Sequence, residues 1–424
     1  MSPPNGSSRP GAIVFIFITV ALDMIAIGII APVLPKLIAN FLGGDLSHAA
    51  EITGIFATVW ALGQFFCSPL LGMLSDRIGR RPVILVSNGV TAVDYAIMAL
   101  APNLWWLFAG RVLSGVATAN LAAAYAYIAD ITSHEKRAAA YGLLASAFGL
   151  GFILGPVIGG FAGAVDPRLP FWIAAAFSVI NTLYGIFVLR ESLPPQLRTT
   201  SVDWRRANPI GALKLLRRHH ELYGLAGVSF IALIAHEALP NLWVLYCIAQ
   251  FGWNQRQIGL GLALVGVISS LNAALLVGPV VGKLGERKTL LVGLTTFALG
   301  CALLASSNVG IAIAGIVVLC LAIYNAPTQS LMSKRVGPTE QGELQGAMGS
   351  LRGIAMMISP MLFAAIFAQF TGPWRSMGLI GAPFYLAALM LIVALVVAIR
   401  VTKRGADDVA LPIAEASPVT VVEV

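Results

Sequence analysis

Gly72-Met73-Leu74-Ser75-Asp76-Arg77-Ile78-Gly79-Arg80-Arg81-Pro82 sets one acid and three arginines between two long apolar runs. The run before it, residues 52–71, has no charged residue, and the run after it, residues 83–100, has only Asp94. A transmembrane helix takes about 20 mostly apolar residues. Two runs of that length joined by a short charged loop read as a membrane hairpin.

The whole chain has this character. Its 424 residues are 58% hydrophobic and 11% charged, with a mean hydropathy of +0.85. Soluble domains carry about 25% charged residues, so the sequence predicts an all-α membrane protein. The net charge of +8 does not point to nucleic acid, because the basic residues lie in short loops between apolar runs, as topology signals do. Cys67, Cys247, Cys301 and Cys320 sit in or beside apolar runs without metal-like spacing and read as reduced packing residues. No phosphate-binding glycine loop and no catalytic constellation occurs, so neither an enzyme nor a cofactor or metal site is expected. The first apolar run, residues 12–34, is long and holds Asp23, and reads as a retained span rather than a cleaved signal.

Twelve spans are predicted: 12–35, 52–74, 82–101, 105–129, 139–163, 170–190, 221–247, 257–281, 288–307, 309–332, 344–370 and 377–400. They divide into a six-helix bundle (1–190), a cytoplasmic linker (191–220), a second six-helix bundle (221–400) and an acidic, small-residue-rich cytoplasmic tail (401–424) expected to be disordered. With both termini in the cytoplasm, only Lys36, Arg168, Arg256 and Arg375 of the loop basic residues fall outside, as the positive-inside rule requires. The halves repeat. Gly72 to Arg77 matches Gly282-Lys283-Leu284-Gly285-Glu286-Arg287 at an offset of 210, and Gly142, Ser146, Gly149 and Pro156 match Gly346, Ser350, Gly353 and Pro360 at an offset of 204. A parallel six-plus-six repeat is a transporter architecture, with substrate near the midplane.

These stretches resemble a known family. The loop Gly72-x-Leu74-x-Asp76-Arg77-x-Gly79-Arg80-Arg81 resembles the signature loop of the major facilitator superfamily. Gly155-Pro156-x-x-Gly159-Gly160, preceded by Gly149 and Gly151, is similar to the glycine-proline motif of its drug:proton antiporters. Residues 22–35, Gly110-Arg111-Val112-Leu113-Ser114-Gly115 and Ile128-Ala129-Asp130-Ile131-Thr132 resemble the tetracycline-efflux branch, as do Phe251-Gly252-Trp253-Asn254 and Leu344-Gln345-Gly346 in the second half. The resemblance implies a proton-coupled efflux antiporter in a bacterial inner membrane, acting as a monomer on a small amphipathic drug. It also implies a proton-handling histidine in the eighth span and aspartate in the ninth. Ser270 and Phe297 stand in those places here.

Ionisable residues inside spans are costly and mark function. The candidates for proton coupling and transport are Asp23, Asp94, Arg111, His236, Glu237 and Arg352. Asp23 lies mid-span, and a proton is what neutralises a carboxylate out of water. Asp94 and Arg111 lie at similar depths on adjacent spans and are expected to meet, as a structural pair or a transport element. His236 and Glu237 precede Pro240 and are candidates for the missing second-half proton site. Arg352, at the place where Phe148 stands in the first-half repeat, is open to three readings: it faces an anionic cargo, pairs with an acid, or snorkels to the cytoplasmic surface. The sum of these charges suggests a mildly acidic cavity. Gln64, Asn120, Phe148, Trp243, Asn272 and Gln329 are candidates to line it, with helix cross-linking as the bland alternative for the polar ones. Gly151, Gly155, Pro156, Gly159 and Gly160 permit close packing and a bend. Gly72, Asp76, Arg77, Gly79, Arg80 and Arg81 are expected to latch against the N-terminus of the eleventh span, with the loop at Gly282 holding more weakly because it lacks the Gly79-Arg80-Arg81 completion. The rival readings are a metabolite uptake symporter of the same fold and a non-transporting sensor or scaffold.

Overall fold

This computed structural model describes residues 10–133, 136–199 and 211–403, without the side chains of residues 10–12, 120, 138 and 212. The predicted tail beyond residue 403 and the middle of the linker lie outside these residues. Among the described residues, eleven helical stretches are long and apolar enough to cross a bilayer. They are α1 (Ile13–Phe41), α2 (Leu46–Ile78), α3 (Arg80–Leu100), α4 (Leu104–Ile131), α5 (Ala139–Val165), α6 (Leu169–Val188), α7 (His220–Phe251), α8 (Gln255–Leu304), α9 (Val309–Ser333), α10 (Pro338–Thr371) and α11 (Ala382–Lys403).

The expected count of twelve differs from this at α8. That stretch is 50 residues long, and at about 1.5 Å per residue it exceeds the ~30 Å apolar core of a bilayer more than twofold. It joins the runs expected as the eighth and ninth spans. The helical path breaks inside it at Gly285, whose φ of 75° and ψ of 163° are not helical. Gly79, between α2 and α3, has nearly the same conformation, φ 108° and ψ 157°. A positive φ of this kind is open to glycine and strained for other residues, so these two glycines fix the internal repeat. They lie 206 positions apart, which corrects the register of 210. Gly285-Glu286-Arg287 is therefore the counterpart of Gly79-Arg80-Arg81, and the second loop does not lack it.

Four stretches are interrupted. α1 leaves the helix at residues 31–33, α4 narrows to a 3₁₀ turn at Thr118–Asn120, α7 turns at Glu237, and α9 opens at residues 321–324. In three of them a proline stands in the first turn of the helix that resumes: Pro35, Pro240 and Pro327. A proline there gives up no intrahelical bond.

Small residues bring helices together. A Cβ on Gly155 would lie 2.5 Å from Gly28 Cα, and one on Gly159 would lie 2.0 Å from Ile29 O, so α1 and α5 touch backbone to backbone. The same holds between α5 and α8, where a Cβ on Gly259 would lie 2.3 Å from Pro156 O and one on Gly160 3.0 Å from Gly259 Cα. The glycine-proline motif thus serves two seams at once. Two hydrogen bonds tie α2 to α10: Ser47 Oγ donates to Ala368 O at 2.8 Å and Thr58 Oγ1 to Met357 O at 3.3 Å. Both seams lie toward the end of the molecule opposite the loop 72–82. Toward the end that carries this loop, Tyr125, Leu143, Ser146, Leu275 and Asn325 are exposed. The contacts between α5 and α8 and between α2 and α10 thus lie away from the basic loop.

Candidate functional site

The loop 72–82 is held within its own half. Arg80 pairs with Asp76 and, at 3.1 Å, with Asp130 at the end of α4. Glu191 Oε1, just after α6, accepts from the Arg80 backbone N–H at 2.9 Å and so caps α3 with an acid. A Cβ on Gly79 would lie 2.2 Å from Glu191 Oε2, a second reason for glycine there. Thr199 N–H donates to Asp76 O at 3.0 Å, and the Arg81 guanidinium donates to Ile186 O at 2.6 Å. Arg77 is exposed.

The counterpart loop makes the same contacts with opposite charge. Glu286 replaces Arg80 and pairs with Lys334, which replaces Asp130, at 2.7 Å. Arg287 donates to Thr402 Oγ1 at 3.1 Å, near the end of α11, as Arg81 reaches the end of α6. The expected latch from Asp76 to the start of α10 is not made. That segment is held instead by Arg218 on Glu343 at 3.3 Å and His219 on Glu340 at 3.0 Å. Asp76 is already engaged by Arg80.

The ionisable residues inside the spans fall into two groups. Asp23 Oδ1 accepts from Asn181 Nδ2 at 2.8 Å, across from α1 to α6. Asp94 is 0% exposed, and neither of its carboxylate oxygens has a hydrogen-bond partner among the described residues. The Arg111 guanidinium and the Ser114 hydroxyl lie beside it, but no direct Asp94–Arg111 ion pair forms. Arg111 lies instead over the Trp60 ring, 5.4 Å from its centroid. A Cβ on Gly110 would sit 2.8 Å from Asp94 Oδ1, so the glycine makes room for the acid. This first group lies inside the first half.

The second group surrounds the breaks in α7 and α9. Arg352 is exposed and lies within electrostatic range of His236, Glu237 and Tyr324, and of Tyr125 on α4. The His236 ring packs edge-on against Phe297, centroids 5.8 Å apart, and Phe297 stacks on Tyr324 at 5.3 Å and 20°. Asn241 Nδ2 donates to the Glu237 carbonyl at 2.7 Å and lies 3.5 Å from its carboxylate. The sequence reading missed Tyr324; its signal is the helix break before Asn325-Ala326-Pro327.

Trp243 and Asn272, expected to line a cavity, are buried among the helices instead. Trp243 is 0% exposed and donates from Nε1 to Ile258 O at 3.1 Å, so it is core. Asn272 is buried and cross-links to Cys320 O at 2.9 Å. Gln64 donates to Thr118 Oγ1 at 2.9 Å and Phe148 packs on the first-half core. Gln329 lies beside Asn325. The Asn120 side chain is outside the described residues.

Comparison with known proteins fits this architecture. The family model described as Major Facilitator Superfamily matches residues 16–271 and again 225–419. The chain is 37% identical over 381 residues to the tetracycline resistance protein, class C, of Escherichia coli, covering 89% of this chain and 95% of that protein. It is 35% identical over 384 residues to the class G protein of Vibrio anguillarum, covering 90% and 96%. Among solved structures it resembles the nucleoside transporter NupG, with a TM-score of 0.76 at 14% identity, covering 93% of this chain and 100% of that one. It also resembles the human organic anion transporter MFSD10, at 0.68 and 21%, covering 94% and 100%, and the peptide transporter POT, at 0.72 and 14%, covering 92% and 95%. The chain belongs to the major facilitator superfamily, as a small-molecule membrane transporter closely related to the Tet family of resistance proteins.

Proposed function

We propose that this protein moves a small amphipathic molecule across a bacterial inner membrane by alternating access, coupled to protons. α8 then counts as two crossings that turn at Gly285, giving twelve helices in two six-helix bundles, residues 1–190 and 221–400, joined by the linker 191–220. Both termini and the basic end face the cytoplasm, in line with the positive-inside rule, and the halves part at that end, leaving an inward-open cavity. The observation that carries the reading is the pair of ionisable residues at an interrupted helix, His236 and Glu237 at the break in α7. Broken helices beside a midplane cavity are where transporters of this build bind cargo and ions, and a membrane protein without flux has no use for such charges.

Asp23, Asp94 and Glu237 are the candidate proton carriers. Asp23 is the strongest, because its Asn181 partner ties it to a neighbouring helix. Two directions of transport share this site. The Tet relatives, named as resistance proteins, support export of a drug-like cargo by proton antiport. The fold neighbours, named as nucleoside and peptide transporters, favour coupled uptake of a metabolite. Everted membrane vesicles separate the two: an exporter accumulates cargo when the lumen is acid, whereas a symporter releases it. Absence of any cargo movement coupled to a pH gradient would contradict both.

A further inference from the structure

We propose that His219 is a proton-operated switch on the basic end of the molecule: its charged ring ties the start of α10 to the start of α7, and its deprotonation releases that tie and slows transport. The tie stands apart from the transport reading, and its effect on flux rests on that reading. His219 follows the short helix Lys214–Arg218, whose buried Leu215 and Leu216 join the large core. Its ring is set between two acids. Nδ1 lies 2.8 Å from Glu221 Oε1, in the first turn of α7, and Nε2 lies 3.0 Å from Glu340 Oε2, at the start of α10.

Both ring nitrogens therefore face carboxylate oxygens. A neutral imidazole has one N–H and can donate to only one of them, whereas the charged ring donates to both. The geometry is that of an imidazolium bridging two acids, which hold the ring above its ordinary value of 6.5. Once the proton leaves, a nitrogen lone pair faces a carboxylate and the bridge opens. The surrounding groups do not share this behaviour. Arg218 pairs with Glu343 at 3.3 Å and Arg335 donates to the Glu221 carbonyl at 2.9 Å, and an arginine keeps its charge throughout. Ser333 and Gln341 form a neutral tie at 2.8 Å. His220, the neighbouring histidine, packs edge-on against Tyr223, centroids 5.2 Å apart. Of the ties that hold the start of α10, only the one through His219 uses a side chain that titrates in the physiological range.

The helix so tied is the one on which the second half meets α2. Beyond the bonds from Ser47 to Ala368 O and from Thr58 to Met357 O, a Cβ on Gly353 would lie 2.3 Å from Phe65 Cδ2. With its start fixed to α7, α10 moves with its own half, and that movement reaches the seam. Released at its start, α10 can shift without α7. Protonation of a histidine biases a packed element in this way.

Hydrogen exchange of the amides of residues 339–343, in the full chain in nanodiscs and corrected for the intrinsic rate, reads the tie. The wild type should lose about tenfold in protection between mild acid and mild alkali, the scale of one charge-assisted hydrogen bond. His219→Gln should show the low protection at both, Glu340→Gln should abolish the step with the histidine in place, and His220→Gln should keep it. In everted vesicles the bath meets the basic end. With the pH difference held fixed, flux of whichever of tetracycline, fluorescein and rhodamine 123 the protein moves should fall as the bath turns alkaline, and this fall should be lost in His219→Gln. Equal wild-type protection in acid and alkali, or a step that persists in both His219→Gln and Glu340→Gln, overturns the switch. If the variants do not yield monodisperse protein, the wild-type step decides. A step in exchange with flux indifferent to the bath overturns its effect on transport. Flux without the step would remove the switch and leave the transporter, and the step without any flux would do the reverse.

Discussion

Asp94 and Arg111 carry the clearest consequence of a single residue. A fully buried carboxylate whose oxygens have no hydrogen-bond partner among the described residues depends on the one cation beside it. Removing that cation alone leaves the carboxylate with no nearby counter-charge. Arg111→Gln is therefore expected to lower the thermal unfolding midpoint sharply, and Arg111→Gln combined with Asp94→Asn to recover most of the loss; additive losses would show that the two do not act as a pair. Asp23→Asn should behave differently. Its Asn181 contact can be kept by an amide, so folding persists while pH-gradient-driven flux is lost. Full coupled flux in that variant would remove Asp23 from the proton path. At this scale the sequence was legible for which ionisable residues lie inside the spans, since charges in apolar runs stand out. It was not legible for where Trp243 and Asn272 point, because helices apolar all round carry no stripe that marks the core face.

At the scale of elements, the two loops form matched clamps of opposite sign, Arg80 on Asp130 and Glu286 on Lys334. Exchanging the second pair, Glu286→Lys with Lys334→Glu, should retain the level of folded protein better than either single change. Equal loss in all three would mean that the clamp contributes nothing. The composition of Gly282 to Arg287 suggested one register of the repeat, and only the backbone at Gly79 and Gly285 revealed the other, since φ is invisible in a letter code except as a glycine. Helix interruptions were hidden for a related reason: a window of about 20 apolar residues averages over a break of three. The prolines at 35, 240 and 327 were the signal. The start of α7 adds a pH-dependent element. His219, hydrogen-bonded to Glu221 and Glu340, is held above its ordinary value of 6.5 by those two carboxylates. A raised imidazole pKa gives stability that is fully present below the ordinary value and is lost as pH rises through the raised one. The wild type should thus be more stable than His219→Gln in mild acid and converge with it in mild alkali; a constant difference would contradict the clamp.

For the whole molecule, the seams set the conformation. Gly259 and Gly160 let α8 approach α5 within backbone contact at the closed end. Gly259→Leu places a side chain where none fits and should part this seam, so that cysteines introduced near Gly160 become reactive toward impermeant thiol reagents from the far side. Unchanged reactivity would show that the seam does not gate the cavity. The alternation this implies is what a transporter of two rocking halves requires. The loop and the apolar runs announced a multi-span helical membrane protein, while which ends of the helices touch could be read only from the backbone.

Coupled transport is the central claim, and reconstituted vesicles test it most directly. The purified full chain is placed in liposomes with a trapped pH dye, an imposed pH gradient, and a panel of probes that includes a tetracycline, fluorescein and rhodamine 123. The account predicts that at least one probe moves against its own gradient while protons move through the wild type, and that both movements stop in Asp23→Asn. Probes that only equilibrate, with no proton movement in the wild type, would contradict it.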